Sequence, residues 1–297
     1  MPARRFVSAF RIPHSALGPL RGLRVGVIGA GTMGQALLGG LLAQGMPRRS
    51  LGAADVRAKT RETIRAHFGV WTTSDNTALA ERSDVIILAV KPQQYPEVVR
   101  QLAGSLSRRH LIISIAAGVT LRWLGARLPG VPLVRVMPNL PATVGCGFTG
   151  IAVGQGTARR HRDIALAIFN SVGTVVELPE RQLNALTAVS GSGPAYVFFL
   201  VEALERAARM LGLPAPVAAA AIRRTLEGSA RLLAAADVPP AELIRRVASK
   251  RGTTEAALKV LEHYRVAAHL VEALRAAARR AGELQLPISD IVSQELS

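Results

Sequence analysis

Cysteine, aromatic side chains and acidic residues are all scarce in this chain. A single cysteine, Cys146, in 297 residues excludes an internal disulfide framework and argues against a thiolate metal site. A reducing, cytoplasmic compartment fits that count, and no metal is expected. Phe, Trp and Tyr make up only 4% of the chain, too few for a platform on which bases could stack. Acids number 20 against 37 Lys and Arg, a net charge of +17, which by itself would suit a nucleic-acid partner. The cations, however, are scattered among alanines along helical segments, so no nucleic-acid partner is expected. Uninterrupted apolar runs such as Val85–Val90 are shorter than ten residues, too short to span a bilayer, so no membrane partner is expected either.

Apolar residues are plentiful at 49%, enough for a sizeable core. Residues 1–22 form a basic stretch with Arg4, Arg5, Arg11 and Arg21 and no acid. Such composition is found in transit peptides, but a disordered extension is the simpler expectation. From residue 23 to about 180, strand-like and helix-like segments alternate. Arg24–Gly29, Ser50–Ala54, Asp84–Val90, Leu111–Ile115, Leu133–Val136, Gly147–Val153 and Thr174–Glu177 read as strands. This alternation predicts an α/β domain with a parallel sheet and helices on both faces. From 181 to 297 no strand is legible. Five helical segments, from Pro194 to Leu284, are punctuated by Gly212, Pro214, Pro216, Pro239 and Pro240 and predict an all-α domain.

Gly29-Ala30-Gly31-Thr32-Met33-Gly34 is a G-x-G-x-x-G turn placed between a strand and a helix. Gly29 suits the tight turn, Gly31 lets backbone approach a pyrophosphate, and Gly34 permits close helix–strand packing. In this context the turn predicts dinucleotide binding by a Rossmann-type domain. Asp55, at the end of the second strand, suits a ribose 2′-hydroxyl and hence NADH. Arg57, Lys59 and Arg61 suit a 2′-phosphate, and the expectation leans to NADPH. Ala89, Val90, Lys91 and Pro92 leave the strongest strand at its carboxyl end, where ligands of open α/β sheets bind. The small residues Ala116 and Ala117 leave the next strand, and Asn139 ends a further one. Ser190–Tyr196, SGSGPAY, is either a tight packing corner or a second anion site. At Ser249–Leu258, Thr253 or Thr254 is expected to cap a helix, and its free N–H groups with Lys250 and Arg251 could seat an anion.

These motifs, taken in order, resemble the pyrroline-5-carboxylate reductase family over roughly residues 23–286. The resemblance is carried by GAGTMGQALLGG (29–40), AVKPQ (89–93), SIAAGV (114–119), VRVMPN (134–139), LTAVSGSGPAYVFFLVEAL (186–204) and RGTTEAALKVLE (251–262). It implies reduction of the cyclic imino acid 1-pyrroline-5-carboxylate to L-proline with NADPH or NADH. It also implies a Rossmann domain followed by a helical dimerisation domain, with dimers assembling further, commonly to decamers. Residue by residue, it implies that Ser249, Gly252, Thr253 and Thr254 hold the substrate carboxylate, with Thr254 closest to the imine nitrogen, and that Glu180 lies near substrate and cofactor. Asn76, Ala89, Lys91, Pro92, Ala116 and Ala117 fall on cofactor-contact positions. A cyclic imine is basic enough to be substantially protonated near neutrality, so no strong acid residue is required. His67, His110, His161, His263 and His269 accordingly read as structural or surface residues. The chain departs from the family where Ser-Pro-Gly-Gly becomes Ser249-Lys250-Arg251-Gly252. It departs also at Leu140, Asn184 and Arg246, all near the implied site. A relative acting on another cyclic imine, or a catalytically weak NADP-binding homologue, are the alternatives.

Overall fold

The structure is a computed structural model that describes residues 18–287. Eight strands form one sheet in the order β3-β2-β1-β4-β5-β6-β7-β8. They are β1 (Val25–Ile28), β2 (Leu51–Ala54), β3 (Trp71–Thr73), β4 (Val85–Leu88), β5 (Leu111–Ser114), β6 (Leu133–Met137), β7 (Gly147–Val153) and β8 (Gly173–Glu177). The first six run parallel, with Val25 level with Leu51 on one side and Val85 on the other. The expectation of a wholly parallel sheet fails at β7, which pairs antiparallel with β6, after which β8 runs parallel to β7. The chain turns back through a short 3-10 segment, Leu140–Val144, instead of crossing over by a long helix.

The helices of this part are α1 (Thr32–Ala43), α2 (Ala58–Phe68), α3 (Asn76–Glu81), α4 (Tyr95–Leu102), α5 (Leu121–Arg127) and α6 (Arg159–Asn170). Side chains of a strand alternate between faces, and both faces here are apolar. Val85 and Ile87 join Val25, Val27, Leu37, Leu41 and Phe169 in one core; Ile86 and Leu88 join Tyr95, Val99, Trp123 and Leu124 in a second on the opposite face. That double burial explains the unbroken run of apolar residues in β4.

Two boundaries differ from expectation. Residues 1–17 of the expected extension lie outside the described residues, but Gly18–Leu20 forms a 3-10 turn against α6 with Leu20 buried. Residues 18–22, part of the expected extension, are therefore ordered chain. The chain divides into one compact unit reaching Ser192 and resuming at Ala277, and a second, Gly193–Ala276. The first unit thus extends past residue 180, because Leu183 and Leu186 seat against Gly150 of β7, where even a Cβ would collide with them. It also takes back the chain from Ala277 on: the Leu286 amide donates to the Gly118 carbonyl (3.0 Å).

The second unit is helical as expected, with α7 (Gly193–Met210), α8 (Ala215–Ala235), α9 (Pro240–Val247), α10 (Thr253–His263) and the start of α11 (Val266–Glu283). Many of its large apolar side chains are exposed, among them Phe198, Phe199, Met210 and Leu211. The helical run Glu180–Met210 is long and apolar enough to cross a membrane, by length and composition. Counting only unbroken apolar stretches overlooks it, because small and polar residues interrupt a segment that is apolar on average.

Candidate cofactor and substrate sites

Strand order reverses between β1 and β4, and the crevice at their carboxyl ends is where an open α/β sheet binds its ligand. Gly29 leaves β1 at φ +89°, and a Cβ there would lie 2.7 Å from the Ala89 carbonyl carbon and the Val90 nitrogen. The turn and the Ala89-Val90 backbone therefore pack directly on each other. A Cβ at Gly34 would meet the Gly29 oxygen at 2.7 Å, which fixes the start of α1 against β1. Gly31 differs: nothing lies within 4 Å of a Cβ built on it. It is the helix N-cap, with no side-chain cap bond. The first-turn N–H groups of Thr32, Met33 and Gly34 thus head a helix without a side-chain cap, with open space beside Gly31. This arrangement fits the pyrophosphate of a dinucleotide.

Asp55 follows β2 and is buried. Its Oδ2 accepts from the Ala30 amide (3.1 Å) and Arg57 Nη2 (3.0 Å); its Oδ1 accepts from the Arg57 amide (2.9 Å) and Nε (3.0 Å). Burial works to raise the Asp55 carboxyl, but these hydrogen bonds and the Arg57 charge outweigh it and hold the group below the ordinary carboxylate range. Both oxygens are engaged within the protein, and the acid braces the glycine turn against Arg57. Arg61 binds the carbonyls of Asp55 and Val56 (2.8 and 2.9 Å), so two guanidinium groups gather where β2 ends.

The remaining positions of this unit have local partners as well. Lys91 has an exposed side chain, and its backbone brackets a 3-10 turn through Gln94, with Pro92 at its first position. Asn76 opens α3 and donates to Gln101 Oε1 (2.8 Å). Asn139 holds two segments together, donating to Ser190 Oγ (3.0 Å) and accepting from the Phe148 amide (2.9 Å). It ties the SGSG turn to the start of β7, the packing-corner reading of that motif. Ala116 is buried and Ala117 partly so, in the loop after β5. Glu180 accepts from the Leu121 amide (2.7 Å) and from Arg135 Nη1 (3.0 Å).

In the second unit, neither Thr253 nor Thr254 caps α10. Gly252 is the N-cap, with no side-chain cap bond, and both threonines lie in the first turn. The physical reason is the tight turn before the helix: the Gly252 amide donates to the Ser249 carbonyl (3.0 Å), and a Cβ on Gly252 would collide with Ser249 Oγ. Arg251 has φ 60°, a left-handed conformation that favours glycine. Its amide donates to Glu255 Oε2 (2.6 Å). Lys259 foremost, and then this amide, hold the Glu255 carboxyl below its ordinary range. Ser249, Lys250 and Arg251 are exposed.

Sequence reasoning missed the buried Tyr95, Ser114 and Arg135 and the partly buried Leu286 as partners within the first unit. The run of small residues after β5 was the only hint that a loop there needs support.

A glycine turn at the switch point of this sheet, ahead of an open helix start, defines a Rossmann-type dinucleotide-binding protein with an added helical unit. Residues 180–284 match the family described as pyrroline-5-carboxylate reductase dimerisation, and residues 24–118 match that described as NADP oxidoreductase, coenzyme F420-dependent. A curated pyrroline-5-carboxylate reductase from Synechocystis is 39% identical over 263 residues, covering 88% of this chain and 98% of the relative. The solved structure of a pyrroline-5-carboxylate reductase from Coxiella burnetii superposes with a TM-score of 0.83 at 35% identity, over 89% of this chain and 99% of the other. A pyrroline carboxylate reductase from Plasmodium falciparum, solved with NADP bound, gives 0.82 at 27% identity, over 89% of this chain and 99% of its own. The chain belongs to the pyrroline-5-carboxylate reductase family.

Proposed function

We propose that this protein reduces 1-pyrroline-5-carboxylate to L-proline with NAD(P)H, the closing reaction of proline biosynthesis. The observation that carries the reading is the match to reductases of this name over nearly their whole length. The bound cofactor would supply the hydride. The first-turn amides of Thr32, Met33 and Gly34 would hold its pyrophosphate, with Gly29, Ala30 and Gly31 shaping the turn. Ala89, Val90, Lys91, Pro92, Asn76, Ala116, Ala117 and Asn139 are the further residues assigned to the cofactor. Asp55 is already engaged by Arg57 and Ala30, which supports a preference for NADPH, with Arg57 and Arg61 toward the 2′-phosphate.

In the helical unit, the amides and hydroxyls of Gly252, Thr253 and Thr254, with Ser249, would hold the substrate carboxylate at the uncapped start of α10. Thr254 is the residue assigned beside the imine nitrogen. A protonated imine needs no general acid, so the protein's contribution is placement and electrostatic stabilisation. Residues from 181 onward act as the dimerisation and substrate region, the exposed apolar faces of α7 and α8 meeting a second copy and not a membrane. A homodimer or a larger assembly such as a decamer, in the cytoplasm and without nucleic acid, completes the proposal.

The test is purified protein with pyrroline-5-carboxylate and NADPH, followed by loss of NADPH absorbance. Turnover is expected; none at substrate concentrations far above ordinary KM values would end the proposal. A second reading, reduction of a bulkier or dianionic cyclic imine, is favoured by the exposed cations Lys250 and Arg251. Much faster turnover of such an imine than of pyrroline-5-carboxylate would establish it.

A further inference from the structure

Two segments assigned to the cofactor leave neighbouring strands: residues 89–92 after β4, and Ala116 and Ala117 after β5. Loops are mobile unless something holds them. Leu88 and Ser114, the last residues of the two strands, lie level with each other. The Ile115 amide continues the ladder to the Leu88 carbonyl at 3.2 Å. Beyond that point a side chain takes over.

Tyr95 is the first residue of α4, directly after the 3-10 turn Pro92–Gln94. Its hydroxyl reaches back to the strand ends. It donates to the Leu88 carbonyl (2.7 Å) and accepts from Ser114 Oγ (3.0 Å). All three residues are fully buried, and hydrogen bonds out of reach of water are electrostatically stronger than exposed ones. Burial pushes the Tyr95 hydroxyl far up, against the opposing pull of the Ser114 hydroxyl and the Ala116 and Ile115 amides, so it stays a donor throughout the neutral range. The ring is fixed as well. It meets Trp123 edge-on with centroids 6.5 Å apart, and the Arg127 guanidinium lies 3.9 Å from the Trp123 ring centroid. Trp123 belongs to α5, the helix that ends the loop after β5. One residue thus follows the first segment in sequence, binds the entry of the second and packs on the helix at its exit. A phenylalanine would fill the same space; the hydroxyl adds the connection between the strand ends.

We infer that Tyr95 is a positioning residue for hydride delivery: its hydroxyl holds the segments after β4 and β5 in fixed relation and so sets how the nicotinamide is presented. Fully buried, it acts through those segments. The inference deepens the proposed reaction and rests on the reading of the chain as an NAD(P)H-dependent imine reductase.

Tyr95→Phe tests it, because the ring and its contact with Trp123 remain and only the oxygen is lost. With pyrroline-5-carboxylate as substrate, kcat should fall roughly three- to tenfold, since small misplacements of reacting groups are costly. KM for the imino acid and Kd for NADPH should stay within about twofold. The fluorescence of bound NADPH, which reports the surroundings of the nicotinamide, should change. Ser114→Ala should be milder, because the Tyr95 hydroxyl keeps its bond to Leu88. Added to Tyr95→Phe, it should lower kcat little further, as expected of two groups acting through one contact. A lower melting temperature with unchanged kcat and unchanged NADPH fluorescence would reduce the hydroxyl to a stability role and overturn the inference. A weakened Kd for NADPH with unchanged kcat would also overturn it, by making the hydroxyl a support for binding and not for delivery. An inactive wild-type protein would count against the proposed reaction, and the fluorescence of NADPH bound to Tyr95→Phe would still decide the role of Tyr95.

Discussion

Arg251 has a φ of 60°, which makes it the place where one substitution should stabilise the protein. An L-residue in the left-handed region costs roughly 1–2 kcal/mol from Cβ–carbonyl crowding. Glycine removes that cost but gains freedom in the unfolded chain, an offset of about 0.5–1 kcal/mol. The hydrogen bond to Glu255 is made by the backbone amide, so it survives any side-chain change. Arg251→Gly should therefore stabilise by about 0.5–1 kcal/mol, a rise in Tm of about 1–3 °C for a chain of this size. Arg251→Ala is the control, because it removes the guanidinium and keeps the Cβ. Calorimetry of the three proteins at one concentration, with matched oligomeric state, gives the answer. Equal melting temperatures for the glycine and alanine variants would refute the strain argument and assign any change to charge.

The glycine turn makes opposite predictions for neighbouring positions: Gly31→Ala should leave Tm nearly unchanged and weaken NADPH binding about tenfold or more, whereas Gly29→Ala should lower Tm, with calorimetry and titration as readouts. Thr254→Ala should lower turnover while leaving NADPH affinity nearly intact; a collapse of NADPH binding would remove this residue from the substrate site. Burial, aided by Arg109 and Arg160, holds the His110 and His161 imidazoles below their ordinary range. The unfolded chain therefore takes up these protons first, so their contribution to stability is full above about pH 6.5 and declines as pH falls from there toward the folded-state values. Denaturant midpoints across that interval should fall less in a His110→Gln, His161→Gln variant, and equal slopes would refute the assignment.

The parts of the fold legible in the sequence were those with strong local signals. The run DVIILAV announced β4 through its double burial, and the glycine turn announced the crevice. β3 escaped because Trp71–Thr73 is three half-buried residues, too short to show a period. The reversal of β7 escaped because alternation of apolar residues carries no strand direction. At the site, the resemblance to a family pattern with glycine at the position of Arg251 pointed to a left-handed residue there, and its φ is 60°. The partners of Asp55 and Glu180 were not visible, since Ala30 lies 25 positions and Leu121 lies 59 positions away. Hydrogen bonds of that span are products of the finished sheet.

The bond between Gly118 and Leu286 has a consequence for biosynthesis. Its two ends are separated by more than half the chain, and non-local contacts of this kind form late. A nascent polypeptide that has emerged through β6 can pair its first six strands, yet the loop after β5 still lacks one of its supports. Competence to hold the nicotinamide would then arrive only once Leu286 has left the ribosome. A truncation short of Leu284 would leave a stable sheet that handles its cofactor poorly.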